Sequence, residues 1–338
     1  MAHLLGLTLL SLFLTSVLIV PFIDFLYRIK LKRQQQKTVD LFNKPTPFFD
    51  KFNAWKVGTP FGGGILIILV VSALFLWSFG ILDIPVNGWE LFVILFTFIG
   101  FGVLGLYDDL KKLVNGNSKL PFFGLRFRHK FLLQCILAII PSVVLYFNLG
   151  YSFLFVRGIG QIPIGLLYIP FAAFAIVSFT NAFNIADGLD GLAPGLLLIA
   201  LVSFLAISYT NVDPALGIFI AILMGSVAAF LYFNVYKARI WLGDVGSMSL
   251  GAALAIIGLL TGKVLALVVI GGVFVLEVGS SLIQILGKKF LKRKLLPVAP
   301  LHLYFQKRGW DEPKVVMRAW WLGAVFAILG LFLAQIRQ

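Results

Sequence analysis

Ten long apolar runs, separated by short polar segments, constrain this 338-residue chain more than any other feature of its sequence. Each run approaches the roughly 20 residues that an α-helix needs to cross the hydrocarbon core of a bilayer. Only 12% of the residues are charged, against about 25% in soluble domains. We therefore predict an all-α, polytopic membrane protein that forms a single domain over residues 1–338. The predicted spans are residues 3–27, 61–79, 91–107, 131–149, 163–180, 192–210, 214–234, 246–261, 264–286 and 316–336.

The positions of Lys and Arg predict how these spans are oriented. If the N-terminus lies outside, 25 of the 28 Lys and Arg residues fall in the inner loops or at their immediate edges. Such a bias marks the cytoplasmic side of a membrane, so both termini are expected on the outer side. Basic residues there would meet anionic headgroups and anionic substrates, which explains the formal net charge of +14 without nucleic acid. The predicted inner loops are residues 28–60, 108–130, 181–191, 235–245 and 287–315.

Three acidic motifs border apolar runs, and all three fall in predicted inner loops. The first is Asp108-Asp109-Leu-Lys-Lys112, at the end of the third span. Charged side chains close to lipid are costly and usually mark a functional site. Paired carboxylates beside a lysine suit metal binding, proton abstraction or phosphate contact. The alternative is an ordinary solvated helix end that carries an ion pair.

The second motif runs from Asn181 to Gly191, and its polar side chains recur every third residue. Neighbouring residues at this spacing share a helix face, but each step of three residues rotates the side-chain position by about 60°. All four side chains therefore cannot lie on one face of a straight helix. Gly188 and Gly191 permit a bent backbone that would gather them. Turns rich in Asn and Asp are the alternative, although two carboxylates and two carboxamides at a membrane edge favour function. The polar residues are Asn181, Asn184, Asp187 and Asp190.

The third motif, Gly243-Asp244-Val-Gly-Ser247, opens the eighth span. Asp244 and Ser247 have the spacing of a helix N-cap, so a plain cap is one interpretation. The other is that Asp244 binds Mg²⁺, a hard cation that prefers carboxylate and phosphate oxygens.

Weaker signals lie in two inner loops and in the ninth span. The glycine-rich segment that begins at Lys56 lets Lys56 and Thr59 approach phosphate, or is simply a flexible start of the second span. His302 suits a hydrogen bond to a diphosphate oxygen or the role of an acid, although a lone loop histidine is more often only solvated. Glu277 and Gln284 share a helix face, and a structural pair with a nearby serine is the alternative for Glu277.

In combination, these motifs resemble the bacterial phospho-N-acetylmuramoyl-pentapeptide transferases of glycosyltransferase family 4, within the polyprenyl-phosphate N-acetylhexosamine-1-phosphate transferase superfamily. The resemblance runs from about Lys56 to Trp320. The three acidic motifs match the superfamily. The segments that match the peptidoglycan branch are Lys56-x-Gly-Thr-Pro60 with Gly62-Gly63, Lys130-Phe-Leu-Leu-Gln134, and Lys307-x-Gly-Trp310 followed by Lys314-Val-Val-Met-Arg318.

The resemblance implies transfer of phospho-MurNAc-pentapeptide from UDP-MurNAc-pentapeptide to undecaprenyl phosphate, which yields lipid I and UMP with Mg²⁺ as cofactor. It also implies ten helices, a cytoplasmic active site in the bacterial inner membrane, a role in peptidoglycan synthesis, and a homodimer as the expected assembly. Implied catalytic residues are Asp108 as the base, Asp109, Asp244 and His302, and implied metal ligands are Asp244 and Asp187. Implied substrate ligands are Lys56, Thr59, Lys112 and Lys130 for phosphates, and Asn181, Asn184, Asp187, Asp190 and Gln284 around the nucleotide.

Two positions depart from the family pattern. The family carries consecutive histidines where this chain has His302-Leu303-Tyr304, and Ala186 stands where the family usually has a hydroxyl residue. The changed histidine segment leaves open a related transferase that uses UDP-GlcNAc or another sugar donor for a surface polymer. A transporter or flippase would carry polar residues at mid-span. An inactive scaffold would have little reason to keep five aspartates on the inner face, so these two hypotheses are less favoured.

Overall fold

The computed structural model describes residues 2–33, 45–82, 86–115, 124–156, 158–210 and 214–334. Within these ranges the chain is a bundle of α-helices with one two-stranded hairpin, which confirms the predicted all-α fold. The helices are α1 (Ala2–Arg28), α2 (Pro47–Asn53), α3 (Gly63–Leu82), α4 (Gly88–Asn115), α5 (Phe127–Phe147), α6 (Tyr168–Ala186), α7 (Leu192–Thr210), α8 (Pro214–Asn234), α9 (Gly243–Leu260), α10 (Val264–Ile270), α11 (Gly272–Phe290), α12 (Leu301–Lys307) and α13 (Glu312–Ala334). The strands are β1 (Phe153–Val156) and β2 (Gly160–Pro163), which pair antiparallel.

Apolar helices occupy all of the predicted spans. In the described ranges, eight helices are long and apolar enough to cross a membrane, and α10 with α11 forms a ninth if the bent pair is one span. The apolar part of α7, Leu192–Ser208, is shorter. The predicted number of ten is reached only when α7 and the bent pair are both counted.

The ninth predicted span, residues 264–286, is broken and not straight. Helices α10 and α11 meet at an angle of 77° around Gly271. A Cβ at Gly271 would lie 2.5 Å from Cε1 of Phe179, so the absence of a side chain lets this corner pack against α6. The expectation of one continuous helix is therefore wrong here, because hydropathy does not report a change in helix direction.

Helix α9 is the centre of the bundle, and every residue from Val245 to Leu260 is buried. It packs against α3, α4 and α6. A Cβ at Gly64 of α3 would overlap the backbone of Gly246, and one at Gly105 of α4 would overlap the carbonyl of Asp244. Small residues at helix contacts are typical of membrane bundles, because close packing drives helix association in lipid. The first turn of α9 is thereby held directly against α3 and α4.

Two helices differ from the predicted spans in ways that affect the motifs. Helix α4 continues to Asn115, so the whole first acidic motif lies on a regular helix. Helix α6 begins only at Tyr168, because the hairpin and a short 3₁₀ turn precede it, and it continues to Ala186. Asn181 and Asn184 are therefore helical, and the predicted inner loop over residues 181–191 begins too early. The predicted bend comes after them, where Gly191 has a φ of +76°.

Candidate active site

The ends of α4, α5, α6 and α9 bring residues of the three acidic motifs together. Asp244, in the first turn of α9, is the point where they meet. Its Oδ2 lies 2.9 Å from Nζ of Lys112 and also accepts a hydrogen bond from Lys130. Its Oδ1 accepts from Nδ2 of Asn184 at 3.1 Å. We call Asp108, Asp109, Lys112, Lys130 and Asp244 the carboxylate–lysine cluster.

Asp108, the predicted base, is buried on α4 between two lysines. Its Oδ2 lies 3.1 Å from Nζ of Lys130 and 3.3 Å from Nζ of Lys112. Its Oδ1 accepts the backbone N–H of Leu125 at 2.6 Å. Both lysines therefore bridge Asp108 and Asp244. Lysines shared in this way can also hold phosphate oxygens, which form charge-assisted hydrogen bonds of the same kind.

Asp109 holds the N-terminus of α9. Its Oδ2 accepts the N–H of Val245 at 3.1 Å, one of the first-turn groups that have no partner within the helix. Leu242 occupies the N-cap position, and no side chain of α9 caps the helix. The interpretation of Asp244 as an N-cap is therefore wrong. Gly243 has a φ of +73°, and a Cβ there would lie 2.7 Å from Oδ2 of Asp109, so glycine permits this approach.

The two carboxamides of α6 have different partners. Asn184 donates to Asp244 and also to Oγ of Ser247 at 2.6 Å, so it links α6 to the start of α9. Asn181, one turn earlier, donates to Oε1 of Gln134 on α5 at 2.8 Å. Gln134 is buried, with 1% of its surface exposed. The structure therefore places Asn184 in contact with the carboxylate–lysine cluster, and Asn181 in a contact between α5 and α6.

Asp187 directly follows α6, where two cavities share part of their walls. A cavity of about 210 Å³ is bounded by Asp109, Asp187 and Asp244, and a larger one of about 900 Å³ has Asp187 and His302 in its wall. Burial raises the pKa of the Asp187 carboxyl well above its usual range, and the negative charge of Asp244 raises it further. Among the described residues, no hydrogen bond or ion pair involves the carboxylate of Asp187. A cation at this position would stabilise the ionised form.

The positions of Asp187 and Asp244 are compatible with their predicted role as magnesium ligands, because both border the smaller cavity. Two carboxylates alone do not fill the coordination shell of a metal ion. Within the described part of the chain, no group of three or more His, Cys, Asp or Glu side chains is arranged to hold a metal ion. Mg²⁺ is usually bound through one or two carboxylates together with waters and substrate phosphates. The neighbouring carboxylates of Asp187 and Asp244 supply that number of ligands, and their assignment to a metal stays a prediction.

The larger cavity is bordered by basic side chains and by the segment after α11. Gln284, a predicted nucleotide ligand, fixes this segment: it donates to the carbonyl of Leu296 at 2.8 Å and accepts the N–H groups of Leu295 and Leu296. A basic wall raises the local concentration of anionic ligands. The basic lining residues are Arg33, Lys288, Lys294 and Lys307.

His302 lies in the first turn of α12 and contacts Glu277 of α11. Nδ1 of His302 is 3.0 Å from Oε2 of Glu277, and the backbone N–H of His302 donates to Oε1 at 3.1 Å. Leu303 borders the larger cavity beside His302. The hydroxyl of Tyr304 accepts a hydrogen bond from Arg308 at 2.8 Å on the exposed side of α12. The second position of the changed histidine segment therefore borders the cavity, and the third does not.

Lys56, a predicted phosphate ligand, lies in a buried ion-pair network. Its Nζ is 3.1 Å from Oδ1 of Asp190 and 2.7 Å from Oε1 of Glu312, and 1% of its side chain is exposed. Glu312 also accepts the N–H of Asp190 at 2.7 Å. We call these residues the Lys56 triad. The carbonyl of Thr59 accepts the N–H of Arg33 at 3.0 Å. The roles of Lys56, Thr59 and Asp190 as substrate ligands stay predictions.

Sequence reasoning did not name Glu312, and it named Gln134 only as part of the Lys130–Gln134 segment without giving it a role, although each pairs with a predicted site residue. Both are polar residues near the end of an apolar span, which is the signal that selected Asp108. A search of every span end for such residues would have found them.

Comparison with known proteins agrees with the resemblance that the motifs carry. Residues 91–262 match glycosyl transferase family 4. The phospho-N-acetylmuramoyl-pentapeptide-transferase of Borrelia turicatae (strain 91E135) is 34% identical over 349 aligned positions, which cover 96% of this chain and 93% of that protein. The protein of the same name from Pelagibacter ubique (strain HTCC1062) is 34% identical, over 97% and 91% of the two chains. That of Rickettsia rickettsii (strain Sheila Smith) is 36% identical, over 83% and 81%.

Proposed function

The chain belongs to the phospho-N-acetylmuramoyl-pentapeptide transferases of glycosyl transferase family 4, and we propose that it transfers phospho-MurNAc-pentapeptide from UDP-MurNAc-pentapeptide to undecaprenyl phosphate. The products are lipid I and UMP, in the membrane step of peptidoglycan synthesis. The observation that supports this proposal is the carboxylate–lysine cluster, which α4, α5 and α9 form next to a cavity of about 900 Å³. Cavities of this size hold small-molecule ligands in other proteins.

The proposed reaction brings two anionic phosphates together. An oxygen of undecaprenyl phosphate attacks the phosphorus that bears the sugar, a new P–O bond forms, and the bond from that phosphorus to the UMP oxygen breaks. Lys112 and Lys130 exchange their carboxylate partners for phosphate oxygens and so stabilise the charge that moves to UMP. Asp108, which lies beside both lysines, accepts the proton that the lipid phosphate carries.

Mg²⁺ is the proposed cofactor, with Asp187 and Asp244 as its protein ligands. Both carboxylates border the smaller cavity, and Asp244 also contacts the two lysines that would hold substrate phosphates. When bound, Mg²⁺ would neutralise phosphate charge as a Lewis acid. Asn184 donates to Oδ1 of Asp244, whereas both lysines contact Oδ2.

The larger cavity is the proposed site of the nucleotide-sugar donor. Its basic residues suit a diphosphate, and Asp187 connects it to the carboxylate–lysine cluster. The apolar helices fit a multi-pass bacterial membrane protein. The bias of Lys and Arg supports an active site on the cytoplasmic side of the inner membrane, with both termini outside. A homodimer is proposed from the resemblance alone.

The positions of the polar groups favour an enzyme over a transporter. A cation path requires ionisable groups along the depth of the membrane. The five inner-face aspartates lie at helix ends or in the turn after α6. Glu277 and Gln284 lie within the predicted ninth span. Glu277 contacts His302 of α12, and Gln284 contacts the segment before α12.

Release of UMP by the purified protein tests the proposed function. The assay contains detergent, undecaprenyl phosphate, Mg²⁺ and either UDP-MurNAc-pentapeptide or UDP-GlcNAc. Turnover with the muropeptide donor alone is the expected result. Turnover with UDP-GlcNAc alone would assign the protein to surface-polymer synthesis and make Leu303 the first position to exchange for His. If both donors are silent while an active relative works in the same mixture, the proposal is rejected.

A further inference from the structure

Both oxygens of the Glu277 carboxylate are used to hold one residue, His302. Oε2 lies 3.0 Å from Nδ1 of the ring, and Oε1 accepts the backbone N–H at 3.1 Å. The exposed fractions are 5% for Glu277 and 2% for His302, so water does not compete for these contacts. An ionised carboxylate can only accept hydrogen bonds, which means that the ring hydrogen resides on Nδ1. The orientation and the tautomer of the imidazole are therefore set by Glu277.

The other ring nitrogen faces the turn after α6. A Cβ at Gly188 would lie 2.8 Å from Nε2 of His302 and 3.2 Å from Cε1. Gly188, Asp187 and His302 all border the larger cavity. The carbonyl of Gly188 also accepts a hydrogen bond from Nζ of Lys56 at 3.3 Å, so the turn is fixed from its other side. The ring is therefore confined between a carboxylate at Nδ1 and a turn without side-chain atoms at Nε2.

We propose that Glu277 is a positioning residue, which directs Nε2 of His302 towards an oxygen of the nucleotide-sugar donor in the larger cavity. Nε2 accepts from a ligand hydroxyl when the ring is neutral, and donates to a phosphate oxygen when the ring is protonated. This inference rests on the proposed function for the identity of the ligand. The contacts between Glu277 and His302 do not depend on that function.

Glu277 also holds the start of α12, so the test has to separate positioning of the ring from support of the helix. Glu277→Gln retains one oxygen for the backbone N–H but cannot accept at both sites, so the ring becomes free to change tautomer. Ser280→Ala is the matched control, because Ser280 is buried one turn along α11 and its hydroxyl donates only to the carbonyl of Glu277, at 2.8 Å. His302→Gln and the double variant complete a mutant cycle.

The experiment uses the full-length protein in detergent, labelled with ¹⁵N-histidine. The chain has three histidines, and the His302 signals are those that His302→Gln removes. We expect the wild-type ring to carry its hydrogen on Nδ1, and Glu277→Gln to convert it to the other tautomer or to a mixture. UMP release should fall by about 10–100-fold in Glu277→Gln, the loss that is typical when the hydrogen-bond partner of a metal-binding side chain is changed. The double variant should be no slower than the slower single variant, because the two residues act as one unit.

Three results would overturn the proposal. They are an unchanged His302 tautomer in Glu277→Gln, an unchanged rate of UMP release in that variant, and losses that multiply in the double variant. Loss of thermal stability in Glu277→Gln with an unchanged tautomer would assign Glu277 to helix support alone. Failure of the proposed function is distinguishable, because wild-type protein that is silent with every donor still reports the tautomer by NMR.

Discussion

Two variants of the Lys56 triad test whether Lys56 stabilises the fold or binds substrate phosphate. Lys56→Met keeps a long unbranched side chain but leaves Asp190 and Glu312 as two buried carboxylates without their cation. Glu312→Gln keeps an oxygen that accepts from Lys56 and from the N–H of Asp190, and Lys56 still has one carboxylate. The two variants remove one charge each from the same network, but only the first leaves uncompensated charge.

The distances set the size of the expected effects. At an effective dielectric constant of about 20, charges separated by 2.7 Å and 3.1 Å attract by about 6 and about 5 kcal/mol before desolvation is counted. Desolvation offsets much of this attraction, and removal of one partner of a buried pair typically costs about 3–5 kcal/mol. We expect Lys56→Met to lower the free energy of unfolding by about 3–5 kcal/mol. Glu312→Gln should lower it by about 1 kcal/mol, because its hydrogen bonds are retained.

Denaturant unfolding in detergent, followed by tryptophan fluorescence, measures these changes, and UMP release is measured on the same samples. Lys112→Met is the matched control, since Lys112 also pairs with aspartates but 31% of its side chain is exposed. It should lose activity with a smaller loss of stability than Lys56→Met, because Lys130 still pairs with Asp108 and Asp244. A Lys56→Met protein with wild-type stability and no activity would refute the structural role and support Lys56 as a phosphate ligand.

Three further variants test the carboxylate–lysine cluster. Asp244→Asn should abolish Mg²⁺-dependent UMP release while the protein elutes as the wild type does in size-exclusion chromatography, and full activity would remove Asp244 from the site. Asp108→Asn should lower kcat by about 10²–10⁴-fold, as expected for loss of a general base, and a wild-type kcat would reject that role. Gly243→Ala should lower the free energy of unfolding by about 1–2 kcal/mol, because φ is +73° there. Its Cβ would also press on Asp109, so wild-type stability in a thermal unfolding assay would contradict the geometry.

The spans and the location of the acidic motifs on one face were predictable, because a bilayer favours apolar residues in its core and charged residues at its borders. Hydropathy locates apolar helices, and charged residues collect at their ends. Alternation of helices then places every second loop on the same side, so Asp108, Asp187 and Asp244 were expected at one face. The break at Gly271 was not predictable in this way, because the residues on both sides of it are equally apolar.

The partners of individual charged side chains were not predictable from the sequence. Lys56 and Lys112 both lie in predicted inner loops, and both were expected to hold phosphate. The structure buries Lys56 against Glu312, which is 256 residues away along the chain, and leaves Lys112 at the rim of a cavity. Which of the two becomes internal depends on which helix ends pack together. That is a property of tertiary packing and not of local sequence pattern.

The differences among the aspartates indicate which of them can accept a cation at low cost. Asp109 accepts a backbone N–H of α9, so recruiting it would leave the start of that helix without its partner. Asp190 is needed by the Lys56 triad. The carboxylate of Asp187 has no hydrogen bond or ion pair among the described residues, and Asp244 is paired with lysines that can turn to phosphate as substrates arrive. Binding of a divalent cation to Asp187 and Asp244 therefore leaves the helix cap and the buried ion pair intact, which is the physical reason to expect the metal there and not at the adjacent pair on α4.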